Sequence, residues 1–570
     1  MLNLYNRFVG DLKDLLRVCP EHPLGRLYWY DKFKQDAPVY RQTACPPNVP
    51  LWAWRQVEYM GYVKRYIRWW IDKRQIANGE FGGGLSDDGD LTAWWPGPAL
   101  AGCMPRKIKE SLLLEMEAFY DQGMFSNGLC AIQTDQLHTL EEGIQVLGQC
   151  LTLDPCSPKH LERAMENARG LFFVTGYNVA GHRHLKSGYY SGTRIAEETP
   201  WNYSASDSFH VLHPTYMLAR YNGSPLAIKL VLELADAMMD HYRDGKLHVL
   251  VDLATDQDQV HERTREWPLF YAAWQFTGDQ KYLMPISDHL YTRPQDRLQG
   301  AAEEICAQIA EQYEDLISSA ALREYINTDG QLWVDRGVID IGVMQEHRIG
   351  GIGHERFSLY PRHFIRWRFA PGQEERVAIL VTHAEQSKLR ISAWNLTDDT
   401  ISAGLVCEAI LPGRWRIRQG TGSVIGALEE VIRDDTALLE RFMEREVRFE
   451  PGKYTVLELD LLEQGKPYWE RPDLAIDGED VIVGDSCIRV RVHNVGAVAS
   501  DITTVVLKAP DGTVLRSSQI PPLPAPVDLY PKVVEVPLWT RGIDLDGCTI
   551  EIDPEGKLEE ITRENNCVTL

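Results

Sequence analysis

A chain of 570 residues is long enough for roughly three to four domains, and its 44% hydrophobic and 25% charged residues are those of an ordinary globular protein. The formal net charge of −23 argues against nucleic acid and against a broad cationic surface for polyanions. No apolar run reaches the roughly eighteen residues of a membrane-crossing helix, so no membrane span is expected.

The opening MLNLYNRFVGDLKDLLRVCP reads as an amphipathic helix and lacks the basic-then-apolar order of a secretory signal. From Val57, the positions Val57, Tyr59, Met60, Val63, Tyr66, Ile67 and Trp70 recur at helical spacing. The pattern stops at Asn78–Trp95, NGEFGGGLSDDGDLTAWW, which sets Glu80, Asp87, Asp88 and Asp90 among five glycines. Such glycine density predicts a loop, because each Gly loses the most backbone entropy on ordering. Carboxylates, glycines that permit close approach, and the faces of Trp69, Trp70, Trp94 and Trp95 together describe a site for a neutral, hydroxyl-rich ligand. A solvated acidic loop over an aromatic core patch has the same composition. SDDGD lacks the spaced ligands and distal Glu of a calcium-binding EF-hand loop.

Helices are predicted over Pro105–Phe125, Leu137–Leu153 and Pro158–Phe173. At helical spacing Asp135, His138 and Glu142 share a face. Flanking carboxylates favour the charged form of His138, for ligand orientation or proton transfer. The same residues also suit an N-terminal cap centred on Asp135. Asn178–Asn202, NVAGHRHLKSGYYSGTRIAEETPWN, is a Gly- and Ser-punctuated loop carrying Asn178, His182, His184, Tyr189, Tyr190 and Arg194. His182 and His184 at i,i+2 need further ligands from elsewhere to hold a metal, so no metal and no cofactor are assigned. His210, His213, His261 and Glu262 are read as ordinary polar packing.

Later helices are expected over His210–Tyr221, Pro225–Tyr242, Trp267–Phe276, Lys281–Tyr291 and Gln299–Ser318. LGQCLTLDPCSPKHLERAM, YMLARYNGSPLAIKLVLELADAM and YAAWQFTGDQKYLMPISDHL repeat one plan, in which an apolar helix ends, a short polar turn follows, and another helix begins. A helical hairpin cannot bury both faces alone, so a recurring one must stack or close on itself.

These hairpins, and Tyr271–Leu283 in particular, resemble the (α/α) toroids of glycoside hydrolases and polysaccharide lyases. That resemblance implies a sugar cleft lined by the loops at one mouth, an all-β domain to follow, and an oligo- or polysaccharide as substrate. About nine or ten helices are legible, fewer than a six-hairpin ring needs.

From about Arg362 the period changes. FIRWRF, RVAILVTHA, KLRISAWNL, AGLVCEAIL, WRIRQG, REVRFE and KYTVLELDLL read as strands of an antiparallel sandwich. Gly465-Lys466-Pro467 to Arg471-Pro472 reads as a linker, and a second small sandwich closes the chain. Its PDLAI opening, VRVHNVG turn and closing ENN resemble CARDB-type Ig-like modules, which implies a spacer or a cell-surface or matrix contact. The expected architecture is therefore multidomain: a mainly α toroid over 1–345, then two antiparallel β-sandwich domains over 346–465 and 470–570. The module points to an extracellular or cell-surface setting, whereas no signal is seen. The eleven cysteines are scattered, with no metal spacing, although a disulfide among Cys487, Cys548 and Cys567 stays open.

Two enzymatic schemes fit, with non-catalytic glycan binding as a third reading. In a hydrolase, one carboxylic acid protonates the glycosidic oxygen while a second carboxylate attacks or activates water. Asp88 and Glu142 are the first choices, with Asp87, Glu141 and Glu80 in reserve, His138 as tuner, and Trp94 and Trp95 as stacking faces. In a lyase on a uronic-acid glycan, His184 or Tyr189 removes the proton α to a carboxylate, beside Asn178, Arg194 and Tyr190. The carboxylates expected at the mouth would repel a polyanion, which favours hydrolysis.

Overall fold

The structure, a computed structural model, describes residues 2–35, 40–197, 210–248, 250–259, 267–286, 300–331, 333–356 and 361–570. Its amino-terminal part is helical. Leu51–Lys73 buries Tyr59, Met60, Val63, Tyr66, Ile67 and Trp70 along one stripe, as the apolar spacing requires. Pro105–Asp121, Pro158–Val174 and Pro225–Met239 each begin on a proline, whose fixed φ suits a first helical turn. Gly223, at φ +67°, closes the helix His213–Asn222 in the left-handed conformation that glycine takes most readily. Trp267–Thr277 and Ala302–Arg323 are helices as expected. Of the helix predicted over Lys281–Tyr291, Gln280–Leu283 is a short 3-10 turn capped by Asp279, and 287–291 lie outside the described residues.

The two kinds of connection lie at opposite ends of these helices. The short turns point to the β-rich part: the carbonyl of Cys156 accepts from Asn565 (3.2 Å), and Asn222 donates to the carbonyl of Val495 (2.9 Å). The long connections form small hairpins and are stitched to one another. Gln122 donates to Glu80 (2.7 Å), Gly192 to Cys130 (2.8 Å), and Val179 to Leu253 (3.1 Å). Thr134–Asp135 also pairs with Tyr189–Tyr190. This end of the helical part holds the candidate site.

The expected strands after Arg362 all form, and all pair antiparallel. Ile365–Phe369, Ile401–Cys407 and Glu444–Phe449 make one sheet. A five-stranded sheet runs in the order Val377–Glu385, Lys388–Asn395, Tyr454–Gln464, Gly413–Gly422, Glu430–Leu439. That last strand, mostly exposed and charged, is an edge the sequence reading missed; charge on an edge strand disfavours further pairing. Helices and these sheets share one core. Trp52 donates to the Tyr454 hydroxyl (3.1 Å), while Gln56 donates to the Ile379 carbonyl (2.8 Å) and accepts from its N–H (2.7 Å). The boundary expected at 345–346 falls inside the helix Gly342–Ile349, whose buried Arg348 donates to the Val377 carbonyl (2.7 Å). By contrast, the final strands, from Leu474 to Thr569, enclose a separate core around Ile488, Val490, Val505, Leu507 and Ile550. The cysteines are all free thiols.

Candidate functional site

The acidic stretch is a loop only as far as Gly84. Leu85–Thr92 is helical and carries Asp87, Asp88 and Asp90, with Asp87 and Asp88 in the first turn, where carboxylates are favoured. Gly89 lets this helix pack closely on its neighbour: a Cβ there would lie 3.0 Å from Val146 Cγ2. Asp88, a first choice for the catalytic pair, is fully buried, and its two oxygens accept the N–H groups of Phe81 (2.7 Å) and Gly83 (3.0 Å). Burial raises its carboxyl to about 6. Asp88 therefore organises the glycine loop from beneath. Trp95 is likewise fully buried, edge-on to Phe81 at 5.3 Å, and is a core residue rather than a stacking face. Trp70 is buried with its indole N–H on the Asn327 carbonyl (3.0 Å), and Trp94 is half-buried against the core. Glu80 sits on the loop surface, accepting from Asn78 and Gln122 (2.7 Å each).

The helix predicted over Leu137–Leu153 is broken. Gln136–Thr139 is α-helical, Leu140–Ile144 forms a wider turn, and Gln145–Leu153 resumes the helix. Glu142 (ψ 37°) and Gly143 (φ +112°) leave helical geometry. Such wide turns recur at functional sites because they re-aim side chains. Asp135 is the cap: one oxygen accepts from the N–H of Leu137 (3.0 Å) and His138 (3.1 Å), and the other lies 2.6 Å from the His138 ring.

At this break Glu141 and Glu142 meet Asp87 and Asp90. Arg356, which the sequence reading did not single out, pairs with Asp90 and lies 3.8 Å from Asp335 and 4.0 Å from Glu141. Its signal was the glycine-broken GGIGHER segment after the last helix. Burial, then the charge of Asp90, push the Glu141 carboxyl up to about 7, against the opposing pull of His138 and Arg356. Glu142 is raised by burial, an effect that His138 and a hydrogen bond from Ser86 offset only in part. Asp87 is raised by burial and by Asp335. Glu115, fully buried behind Asp88, is raised well above the usual range by burial and by Asp88. The accessible members are thus Asp87, Glu141 and Glu142, with His138 exposed beside them.

The second predicted group follows the next hairpin. Thr175–Tyr177 pairs with Arg183–Leu185, and Asn178 closes their turn by accepting from Ala180 (3.0 Å) and His182 (2.9 Å). Asn178 also donates to Asp256 (2.6 Å). His184 is buried and its imidazole lowered to about 4 by burial and by the neighbouring His241 and His182 rings. Tyr189 is half-buried opposite Asp135 in the strand pair, Tyr190 is fully buried, and Arg194 is exposed. Tyr190 is thus a core residue and unavailable to a ligand. His210 and His213 are fully buried, His213 stacked on His354 at 5.3 Å, while His261 and Glu262 lie outside the described residues. His182, His184, His241 and Asp256 each offer a donor atom within 4.8 Å of the others. The ligands that His182 and His184 lacked in sequence are thus supplied by the next hairpin.

A cavity of about 430 Å³ lies elsewhere, where the LDPCSP turn, the middle sheets and the final module meet, lined by Asp154, Arg366, Phe442 and Asn565. Among the described residues no helix is long and apolar enough to cross a membrane. No family model matches the chain, and no curated protein is significantly similar to it.

Proposed function

We propose that this chain is a carbohydrate-active enzyme, a glycoside hydrolase, with Glu141 as general acid and Glu142 or Asp87 as the ionised partner. The carrying observation is the helix break that sets Glu141, raised to about 7, beside Glu142, whose own rise on burial His138 and Ser86 partly offset. Acid–base cleavage of a glycosidic bond requires one protonated and one ionised carboxyl, and Glu141, at about 7, suits the protonated one. The repeated helical hairpins with their long connections gathered at one end support the reading of the helical part as an (α/α) toroid with a cleft at that mouth. Two successive antiparallel β units support the reading of two sandwich domains, the last of them CARDB-like. Glu141, a reserve in the sequence analysis, replaces Asp88 in the pair because Asp88 is fully buried and spends its oxygens on the loop backbone.

Product analysis on a panel of neutral and uronic-acid glycans tests this reading. New reducing ends without the ultraviolet absorbance of unsaturated uronides, lost by about 100-fold or more in Glu141→Gln, are expected. Absorbance rising in step with reducing ends would move the chemistry to a lyase working from Tyr189 or His184. Binding with no turnover on any glycan would make the chain a recognition protein.

A further inference from the structure

Outside the carboxylate site, the neighbouring hairpins bring together donors of another kind. His182 and His184 stand on the turn and strand that follow the helix Pro158–Val174. His241 follows the helix Pro225–Met239, and Asp256 lies in the turn between Leu250–Val251 and Asp258–Gln259. His182 and His184 are distant in sequence from His241 and Asp256, yet one donor atom of each falls within 4.8 Å of the rest. Three of the cluster's nitrogens make no hydrogen bond, although His241 Nε2 lies 3.4 Å from the Asp256 carboxylate within the cluster. His182 Nδ1, His184 Nε2 and His241 Nε2 are buried without a hydrogen-bond partner, and the His184 and His241 residues are only 5% and 3% exposed. A buried polar atom left unpaired costs about 1–3 kcal/mol, so three converging on one point call for an occupant.

The surroundings are those of metal ligands. The far nitrogen of His182 lies 2.8 Å from Asp240, and that of His241 lies 2.5 Å from Asp258. Asp258 is itself held by Arg243 (2.8 Å) and His248 (3.0 Å). Asn178 holds Asp256 at 2.6 Å. Carboxylates on the outer ring nitrogens fix the tautomer and leave the inner nitrogen's lone pair directed inward, as in metal-bound histidines.

We propose that His182, His184, His241 and Asp256 form a binding site for a divalent transition metal, with zinc the ion that three imidazoles and one carboxylate suit best. Four protein donors match a closed, structural site rather than one that keeps a position for water. Tetrahedral zinc places its donors about 3.3 Å apart, so the hairpins draw together by about an ångström when it binds. The ion pins the connection after Pro158–Val174 to that after Pro225–Met239, alongside the Val179–Leu253 backbone bond, and stiffens that end of the helical part. The site depends on no assumption about the reaction.

The test uses the full chain without a polyhistidine tag, stripped with a strong chelator and titrated with Zn²⁺ against a chromophoric competitor. One equivalent is expected to bind tightly, and Co²⁺ in its place to give the visible absorption of a tetrahedral site. His184→Ala and His241→Ala are each expected to weaken that equivalent by about 100-fold or more, and Asp258→Asn by about 10–100-fold. His383→Ala, in the middle sheet, is expected to leave it unchanged. The thermal midpoint rises with Zn²⁺ in the parent but not in Asp256→Asn, a milder variant that keeps the reading secure if an alanine variant fails to fold. Equal zinc affinity in the parent and the histidine variants overturns the proposal, as does binding of Ca²⁺ or Mg²⁺ in preference to Zn²⁺.

Discussion

Residues of identical type in the acidic stretch have separated into different tasks according to burial. Asp88 accepts two backbone N–H groups at full burial, so Asp88→Ala leaves the Phe81 N–H buried and unpaired. A loss of about 2–4 kcal/mol in denaturant unfolding is expected, an effect on the fold that precedes any effect on catalysis. Glu141, raised to about 7, acts the other way. A general acid works while protonated, so kcat/KM should fall as pH rises through about 7, and Glu141→Gln should remove that alkaline limb along with most of the rate. A pH–rate profile of parent and variant reads both. The tryptophans separate in the same manner, since Trp95 fills core while Trp94 keeps a partly open face. Sequence gives residue type and spacing, and neither says which side of the chain becomes interior.

For single elements, the break at Glu142–Gly143 is decisive. The apolar spacing of Ile144, Leu147 and Leu151 matches the helix that resumes there, but spacing alone does not reveal an inserted turn upstream. Gly143 marks it in retrospect. Its φ of +112° disfavours any side chain, and a Cβ would approach Phe125 to 2.6 Å and Phe119 to 2.7 Å. Gly143→Ala should therefore cost about 1–3 kcal/mol by unfolding and shift Glu141 and Glu142 out of register, with a loss of activity larger than stability alone explains. The glycine loop shows the converse error. Gly89 argued against a helix over 85–92, yet it packs closely on Val146, and neighbouring contacts outweigh its low helix propensity.

In the molecule as a whole, the helices and middle sheets share one core, whereas the last module has its own and docks through buried Ala475, Val495, Leu529 and Ile561, which join the shared core, together with polar contacts. His493 stands at that junction, 2.6 Å from Glu162 on the helix Pro158–Val174 and 3.0 Å from Asp480 within the module. These carboxylates overcome the opposing effect of burial and raise its imidazole to about 9. A raised folded-state value means that the contribution is complete below the ordinary histidine value of 6.5 and is lost as pH rises through about 9. Docking should therefore weaken between those limits by at most about 3 kcal/mol. Limited proteolysis of the 465–472 linker across that range should show cleavage rising with pH in the parent and already high at pH 6 in His493→Ala.

The sequence by itself determined the order of helical and β-rich parts, the placement of the main helices and strands, and the turns between hairpins, because these follow from local periodicity and from proline and glycine at helix ends. It also located the stretches that carry the acidic and histidine groups. Tertiary structure decided which members face one another. Arg356 reaches Asp90 and Glu141 across more than two hundred residues, and His241 with Asp256 completes the donor set that His182 and His184 begin. Burial and long-range charge set these roles, and both arise only when separate hairpins pack at the same end of the helical part.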